Sequence, residues 1–317
     1  MAGPHPEIES LEELRSHVAT HGTLSDAVLQ GLDLTGEDAL LATTPVDDTL
    51  FLGCRLSAAA LKRLQEARAI IFPLQDGFPY RPCRGSLYTP EELLGDYRPG
   101  DPDTLSLTLD DRIYQHYRRT GQANPPGIRE TLARRLHDHA MTDALEELIA
   151  GRTVVAIMGG HSLPRDHAVY LDAARIARRL TREDMLMASG GGPGAMEATN
   201  LGAWFAQRPE DKLVDATRIL ARAPNYTPQT DWLDCAFAVR ERYPLPGAGR
   251  DASRSIGIPT WLYGHEPPNA FATDIAKYFA NSVREDGLLS VPVDGSQAPA
   301  DLGSGLNGFG ISPDGAT

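Results

Sequence analysis

The segment from Arg152 to Ala203 confines the fold more tightly than any other stretch of the chain. "TVVAIM" (153–158) is a β-branched run closed by "GGHS". "AVYLDAARIARRL" (168–180) then places Val169, Ala173, Ile176 and Leu180 at helical spacing, and "DMLMA" (184–188) is a second short apolar run. A strand, a helix and a strand within about 36 residues is the size of one βαβ unit, whose strands run parallel and whose crossover is right-handed. The alternation continues. "DWLDCAFAVRERYP" reads as a helix, "IGIPTWLY" as a strand, "NAFATDIAKYFANSVREDG" as a helix ended by Gly287, and "LLSVPV" as the start of another strand. The pattern predicts an α/β domain over residues 152–290, built as a doubly wound parallel sheet.

The preceding residues are organised differently. Over 1–108, "SLEELRSHVA" and "SAAALKRLQEA" read as short helices, each opened by a capping Ser. Between them the apolar alternation suits short strands, "ARAIIFPL" gives one more, and Pro- and Gly-rich connectors follow, so a smaller mixed α/β region is expected. Residues 109–151 form a helical connector, with Ile128, Leu132, Leu136, Ala140, Leu145 and Leu148 near helical spacing and Gly151 as its stop.

Charge and cysteine usage exclude several classes of function. A net charge of −13 over 317 residues argues against a general grip on nucleic acid or an anionic membrane and leaves room for a local pocket that takes a small anion. Three cysteines without a C-x-x-C pair make neither a disulfide framework nor a zinc site. His137 and His139 lie two apart on one helix and point to different faces, so no metal site is expected. The N-terminus is acidic where a leader would be basic and then apolar, and no run of eighteen apolar residues occurs, so a cytoplasmic protein is expected.

In a parallel α/β sheet, ligands sit beyond the carboxyl ends of the strands, where loops enter helix N-termini. Both such loops are rich in glycine: "MGGHSLP", with Gly159, Gly160, His161 and Ser162, and "SGGGPGAME", with Ser189, Gly190, Gly191, Gly192, Pro193, Gly194, Met196 and Glu197. Helix N-termini offer unpaired N–H groups and partial positive charge, and glycine lets a phosphate approach the backbone. Tight turns and helix caps with no ligand account for the same residues. Glu197 in the first helical turn fits either dipole pairing or a hydrogen bond to a ribose.

Taken together, "VVAIMGGHS", "YLDAARIARRL", "SGGGPGAMEATNLGA" and the later "EPPN" (Glu266, Pro267, Pro268, Asn269) resemble the Lonely Guy family. The likeness is nearest to its branch of purine and pyrimidine 5′-monophosphate nucleosidases and covers about residues 125–290. The resemblance implies a Rossmann-like domain that binds a nucleoside monophosphate such as AMP or CMP. It also implies hydrolysis of the N-glycosidic bond to free base and ribose 5-phosphate, with no metal or organic cofactor, in a homodimer or higher homo-oligomer. On this reading Gly159, Gly160 and Gly190 to Gly194 hold the phosphate, and Glu197 and Glu266 lie near the ribose. His161, Ser162, Ser189, Met196, Pro267 and Asn269 complete the nucleotide site.

The family's chemistry also rests on a second motif, P-G-G-x-G-T-x-x-E, and on an Arg in the preceding helix. This chain continues from "REDGLLSV" into "PVDGSQAPADLGSGLNGFGISPDGAT", with no Glu after residue 285. The expected Arg falls near Tyr278, leaving Lys277 and Arg284 as the nearest basic substitutes for a catalytic role. Residues 291–317 hold six Gly, three Pro and no Lys or Arg, a composition of disorder. Only three of the thirty basic residues are Lys, a bias of GC-rich coding. A truncation or frame shift near residue 291 is therefore expected, with a divergent native tail as the alternative. Three readings of function compete: a nucleotide nucleosidase, a nucleotide-binding sensor without hydrolysis, and an interaction protein whose Rossmann-like half is a scaffold.

Overall fold

The computed structural model describes residues 5–73, 77–245, 250–264 and 266–290. The tail from residue 291, together with the part of "LLSVPV" beyond Ser290, lies outside the described residues. The chain is an α/β protein with two four-stranded sheets, each parallel throughout and each with strand order following chain order.

The first sheet joins β1 (Glu7–Ile8), β2 (Val28–Gln30), β3 (Leu50–Leu52) and β4 (Ile70–Phe72). Between them lie α1 (Leu11–His21), α2 (Asp38–Thr43) and α3 (Ala58–Glu66). Corresponding rungs recur at 7, 28, 50 and 70, so each circuit takes 20 to 22 residues. The backbone repeats with them. Asp26, Asp48 and Arg68, each two residues before a strand, have positive φ, as do Gly31 and Gly53 just after two of the strands. Ile8, Leu29 and Phe51 stack in register on the inner face and are almost wholly buried, joined by Leu24, Leu32, Leu34 and Leu64. This is a short β–α solenoid in which each circuit buries its apolar side against its neighbours. Both serines cap as read from the sequence: Ser10 closes a capping box with Glu13, and Ser57 accepts from Ala60 N. The repeat itself, visible in "DAVLQGLDLT" and "DTLFLGCRLS", was not among the sequence expectations.

Two helices then lead to the second sheet, α5 (Leu109–Arg119) and α6 (Ile128–Ile149), after α4 (Pro90–Leu94). The inner face of α6 differs from the expected stripe. Ile128 is 79% exposed, whereas His137, Asp138, Ala140, Met141 and Leu145 are buried. The polar pair has work there: Asp138 accepts from Phe279 N and Ala280 N at 2.8 Å each, and His137 Nε2 meets Tyr88 OH at 2.8 Å.

The second sheet, Rossmann-like, comprises β5 (Val154–Ile157), β6 (Leu186–Ser189), β7 (Ser255–Gly257) and β8 (Asp274–Ile275). Its helices are α7 (Ala168–Arg182), α8 (Ala195–Trp204), α9 (Glu210–Leu220), α10 (Gln229–Arg242) and α11 (Asn281–Ser290). Three expectations are corrected here. The strand in "IGIPTWLY" covers only its first residues, because Trp261–Tyr263 turns into a 3-10 helix capped by Thr260. The helix expected over 269–287 is instead loop, strand β8 and then α11, which starts at Asn281 and runs through Gly287. Asn269 fixes the loop by accepting from Phe271 N and Ala272 N. Of the stripe Val169, Ala173, Ile176 and Leu180, only Ala173 and Leu180 pack against the core, each half-buried. Val169 and Ile176 are 42% and 55% exposed, and Tyr170, Ala174, Ala177 and Thr181 are buried. The cause is a close helix crossing: a Cβ on Gly202 of α8 would lie 2.2 Å from Ala174 O, so small side chains must face it.

Candidate functional site

The two glycine loops meet at the carboxyl ends of β5 and β6. Gly160 O accepts from Ala195 N, the first residue of α8, at 3.0 Å. Contact is so close that a Cβ on Gly194 (φ 71°) would lie 2.1 Å from Gly160 O and 2.9 Å from His161 O. Gly191 (φ 72°) leaves equally little room against β7, since its Cβ would lie 2.9 Å from Ile258 N. These two glycines are required by packing of backbone on backbone, whatever binds above them. Gly159, also at positive φ, faces open space.

A buried amide network holds the second loop. Ser189 Oγ donates to Asn200 Oδ1 at 2.7 Å and accepts from Gly191 N. Asn269 Nδ2 donates to Gly192 O and Asn200 Oδ1, and Asn269 N donates to Gly191 O. Asn200 Nδ2 reaches across to Ser255 Oγ and Ile256 O. Ser189 and Asn269 are wholly buried, so they set the shape of the loop rather than offer groups to a ligand. Asn200, in "EATNLGA", was missed in the sequence because nothing in its spacing sets it apart from a helical surface residue.

Glu197 is not a ribose acceptor in this arrangement. It is wholly buried, with Arg165 Nη2 on Oε1 at 2.5 Å and Arg165 Nε and Tyr170 OH on Oε2 at 2.8 Å each. Burial alone would lower the Arg165 guanidinium, but the carboxylate outweighs it and holds it above its ordinary value. Burial and the same negative charge push the Tyr170 hydroxyl well up. Arg165 Nη1 donates to Trp232 O at 3.0 Å, and Arg165 N to Pro224 O, so the pair ties α8 to the turn before α10. Arg165, Tyr170 and Trp232 were also unmarked in the sequence.

Lys277 is likewise buried and paired within the protein. Its Nζ is wholly buried, 2.5 Å from Asp110 Oδ1, which also accepts from Trp261 Nε1. Burial lowers the ammonium from its usual value while Asp110 opposes the change. Tyr278, at the position where the resemblance places an Arg, is buried, and burial pushes its hydroxyl up to about 12.

Two other candidates do reach the glycines. Arg284, on α11, donates from Nε to Ile258 O at 2.8 Å and from Nη1 to Glu285. Its Nη2 lies 2.8 Å from where a Cβ on Gly190 would be. Glu266 is half-buried, with Oε2 3.4 Å from the Cβ position of Gly192, and Met196 lies across both glycines. A guanidinium and a carboxylate thus reach two glycines of one loop, and Pro267, next to Glu266, is buried.

No protein family, curated protein or solved structure matches this chain.

On the other side of the loops, His161, Ser162, Pro193 and Gly194 line a cavity of about 190 Å³ with Asn225, Tyr226 and Thr227. Arg165 and Trp232 form its floor. The polar turn 225–227 had no signal in the sequence beyond its turn-forming residues. The C-terminal residues that would hold the expected second motif lie outside the described residues. Among the described residues, no helix is long and apolar enough to cross a membrane.

Proposed function

We propose that the glycine-lined end of the second sheet binds nucleoside 5′-monophosphates such as AMP or CMP. The observation that carries the reading is the Arg284 guanidinium set against Gly190, in the same loop whose Gly192 lies near the Glu266 carboxylate. A guanidinium beside a glycine loop at a helix N-terminus suits a phosphate dianion, and a carboxylate nearby suits ribose hydroxyls. The cavity beyond Pro193 and Gly194, with Tyr226 and Asn225, is of a size and polarity to take part of the nucleotide. The resemblance to the Lonely Guy nucleosidases supports the same ligand class.

Hydrolysis by this chain is proposed to be slow. Departure of a base requires charge stabilisation at the sugar carbon and a proton for the leaving group. Glu197 is locked to Arg165, Lys277 to Asp110, and the P-G-G-x-G-T-x-x-E motif is not written in the sequence. Losing a general acid or base costs about 10² to 10⁴ in rate. Calorimetry with AMP, CMP and adenosine, followed by a base-release assay, tests both parts. Saturable binding of AMP, with adenosine far weaker, supports the phosphate reading; equal affinity for adenosine contradicts it. Turnover near one per second would show that other residues supply the missing chemistry.

A further inference from the structure

The outward face of the solenoid sheet puts partly exposed aliphatic side chains next to a knot of carboxyl groups. One rung row runs Glu7, Val28, Leu50, Ile70 across all four strands. Val28 and Leu50 are half-buried and Ile70 is 50% exposed, so the described residues cover the row only in part. At its first rung, the carboxylate oxygens of Glu7, Asp143 and Glu147 lie within 4.8 Å of one another, the latter two supplied by α6. Partial desolvation of this exposed residue, a hydrogen bond to Asp143 and the negative charges of Asp143, Glu9 and Glu147 push Glu7 up to about 8. Near neutral pH Glu7 therefore keeps a proton between its acidic neighbours, and a cation arriving from outside displaces that proton and pairs with the carboxylates the fold holds together.

The spacing of the row selects the shape of the occupant. Neighbouring strands are about 4.8 Å apart, whereas same-face side chains of an extended peptide are about 6.7 Å apart. Side chains one turn apart on a helix are about 5 to 6 Å apart, which matches the rungs more closely. We propose that this face docks an amphipathic helix of a partner protein, with an Arg or Lys at Glu7, Asp143 and Glu147 and an aliphatic stripe along Val28, Leu50 and Ile70. The chemistry is that of helix-in-groove recognition, with the carboxylates fixing the direction in which the helix lies.

A fluorescein-labelled synthetic helical peptide tests the inference by polarisation against the full chain. It carries one Arg followed by leucines on the same face, and a permuted peptide of identical composition has that face broken. The striped peptide should bind and the permuted one should bind at least tenfold more weakly. Ile70→Asp, at an exposed position, and Glu7→Gln, which keeps the side-chain shape, should each weaken the striped peptide at least tenfold while circular dichroism stays unchanged. Equal binding of both peptides would mean general attraction to an acidic protein and would overturn the proposal. So would binding of neither, or two folded variants that bind as the parent does.

Discussion

The solenoid and the Rossmann-like sheet use the same pairing, four parallel strands in chain order, and place their information in opposite parts of the chain. In the solenoid the strands are two or three residues long, and the specification lies in a repeated inner row of Ile8, Leu29 and Phe51. In the second sheet the strands are also short. The specification there lies at their carboxyl ends, where Gly191 and Gly194 let one loop touch another and Asn200 and Asn269 tie them. A row of interchangeable apolar rungs tolerates a lost methyl group locally. A junction built from backbone against backbone does not tolerate an added one.

That contrast is broken most severely at Gly194. In Gly194→Val the side chain meets Gly160 O at a distance no relaxation of a flexible chain end relieves, and φ is unfavourable as well. We expect loss of the folded second unit, beyond about 4 kcal/mol, seen as lost near-ultraviolet dichroism. A folded, nucleotide-binding Gly194→Val protein would show that the loops separate freely.

Next in size is the buried ion pair. Arg165→Met leaves Glu197 without its cation and should cost about 3 to 5 kcal/mol in denaturant unfolding. Leu29→Ala in the solenoid should cost about 2 to 5 kcal/mol and leave AMP binding unaltered, because among the described residues Leu29 packs in a core cluster separate from that of the second sheet. Weakened AMP affinity in folded Leu29→Ala would join the two regions into one functional unit.

The smallest effects are titrations of opposite sign. Burial lowers His137, while Asp138 and Glu92 raise it and Arg84 lowers it further, with Tyr88 at its Nε2. The folded state therefore binds this proton less readily than the unfolded chain, and stability falls as pH drops below about 6.5. Glu7 is pushed up to about 8, so between about 4.5 and 8 the folded state holds the proton better and stability falls as pH rises. Unfolding followed against pH should lose its acid-side slope in His137→Gln and its alkaline-side slope in Glu7→Gln. Unchanged slopes would remove these groups as the cause.

The sequence made β5, β6 and both glycine loops readable because β-branched runs ended in glycine are local signals. The solenoid period escaped notice because its rungs are so short and its spacing drifts between 20 and 22 residues. On α7, Val169 and Ile176 misled because the inner face had to be small where Gly202 passes Ala174. Lys277 and Glu197 look free in sequence. Their partners Asp110 and Arg165 are 167 and 32 residues away, and only the tertiary fold brings them together. Arg284 and Glu266 were legible as chemistry, but not as neighbours of Gly190 and Gly192 in one loop.

Calorimetric titration of AMP into the parent protein, Arg284→Ala and Gly192→Val tests the central claim most directly. The account predicts one saturable site in the parent, weakened at least tenfold in both variants, because one removes the guanidinium over Gly190 and the other fills the bed between Met196 and Glu266. Absence of binding to the parent, or equal affinity in folded Arg284→Ala, would contradict it.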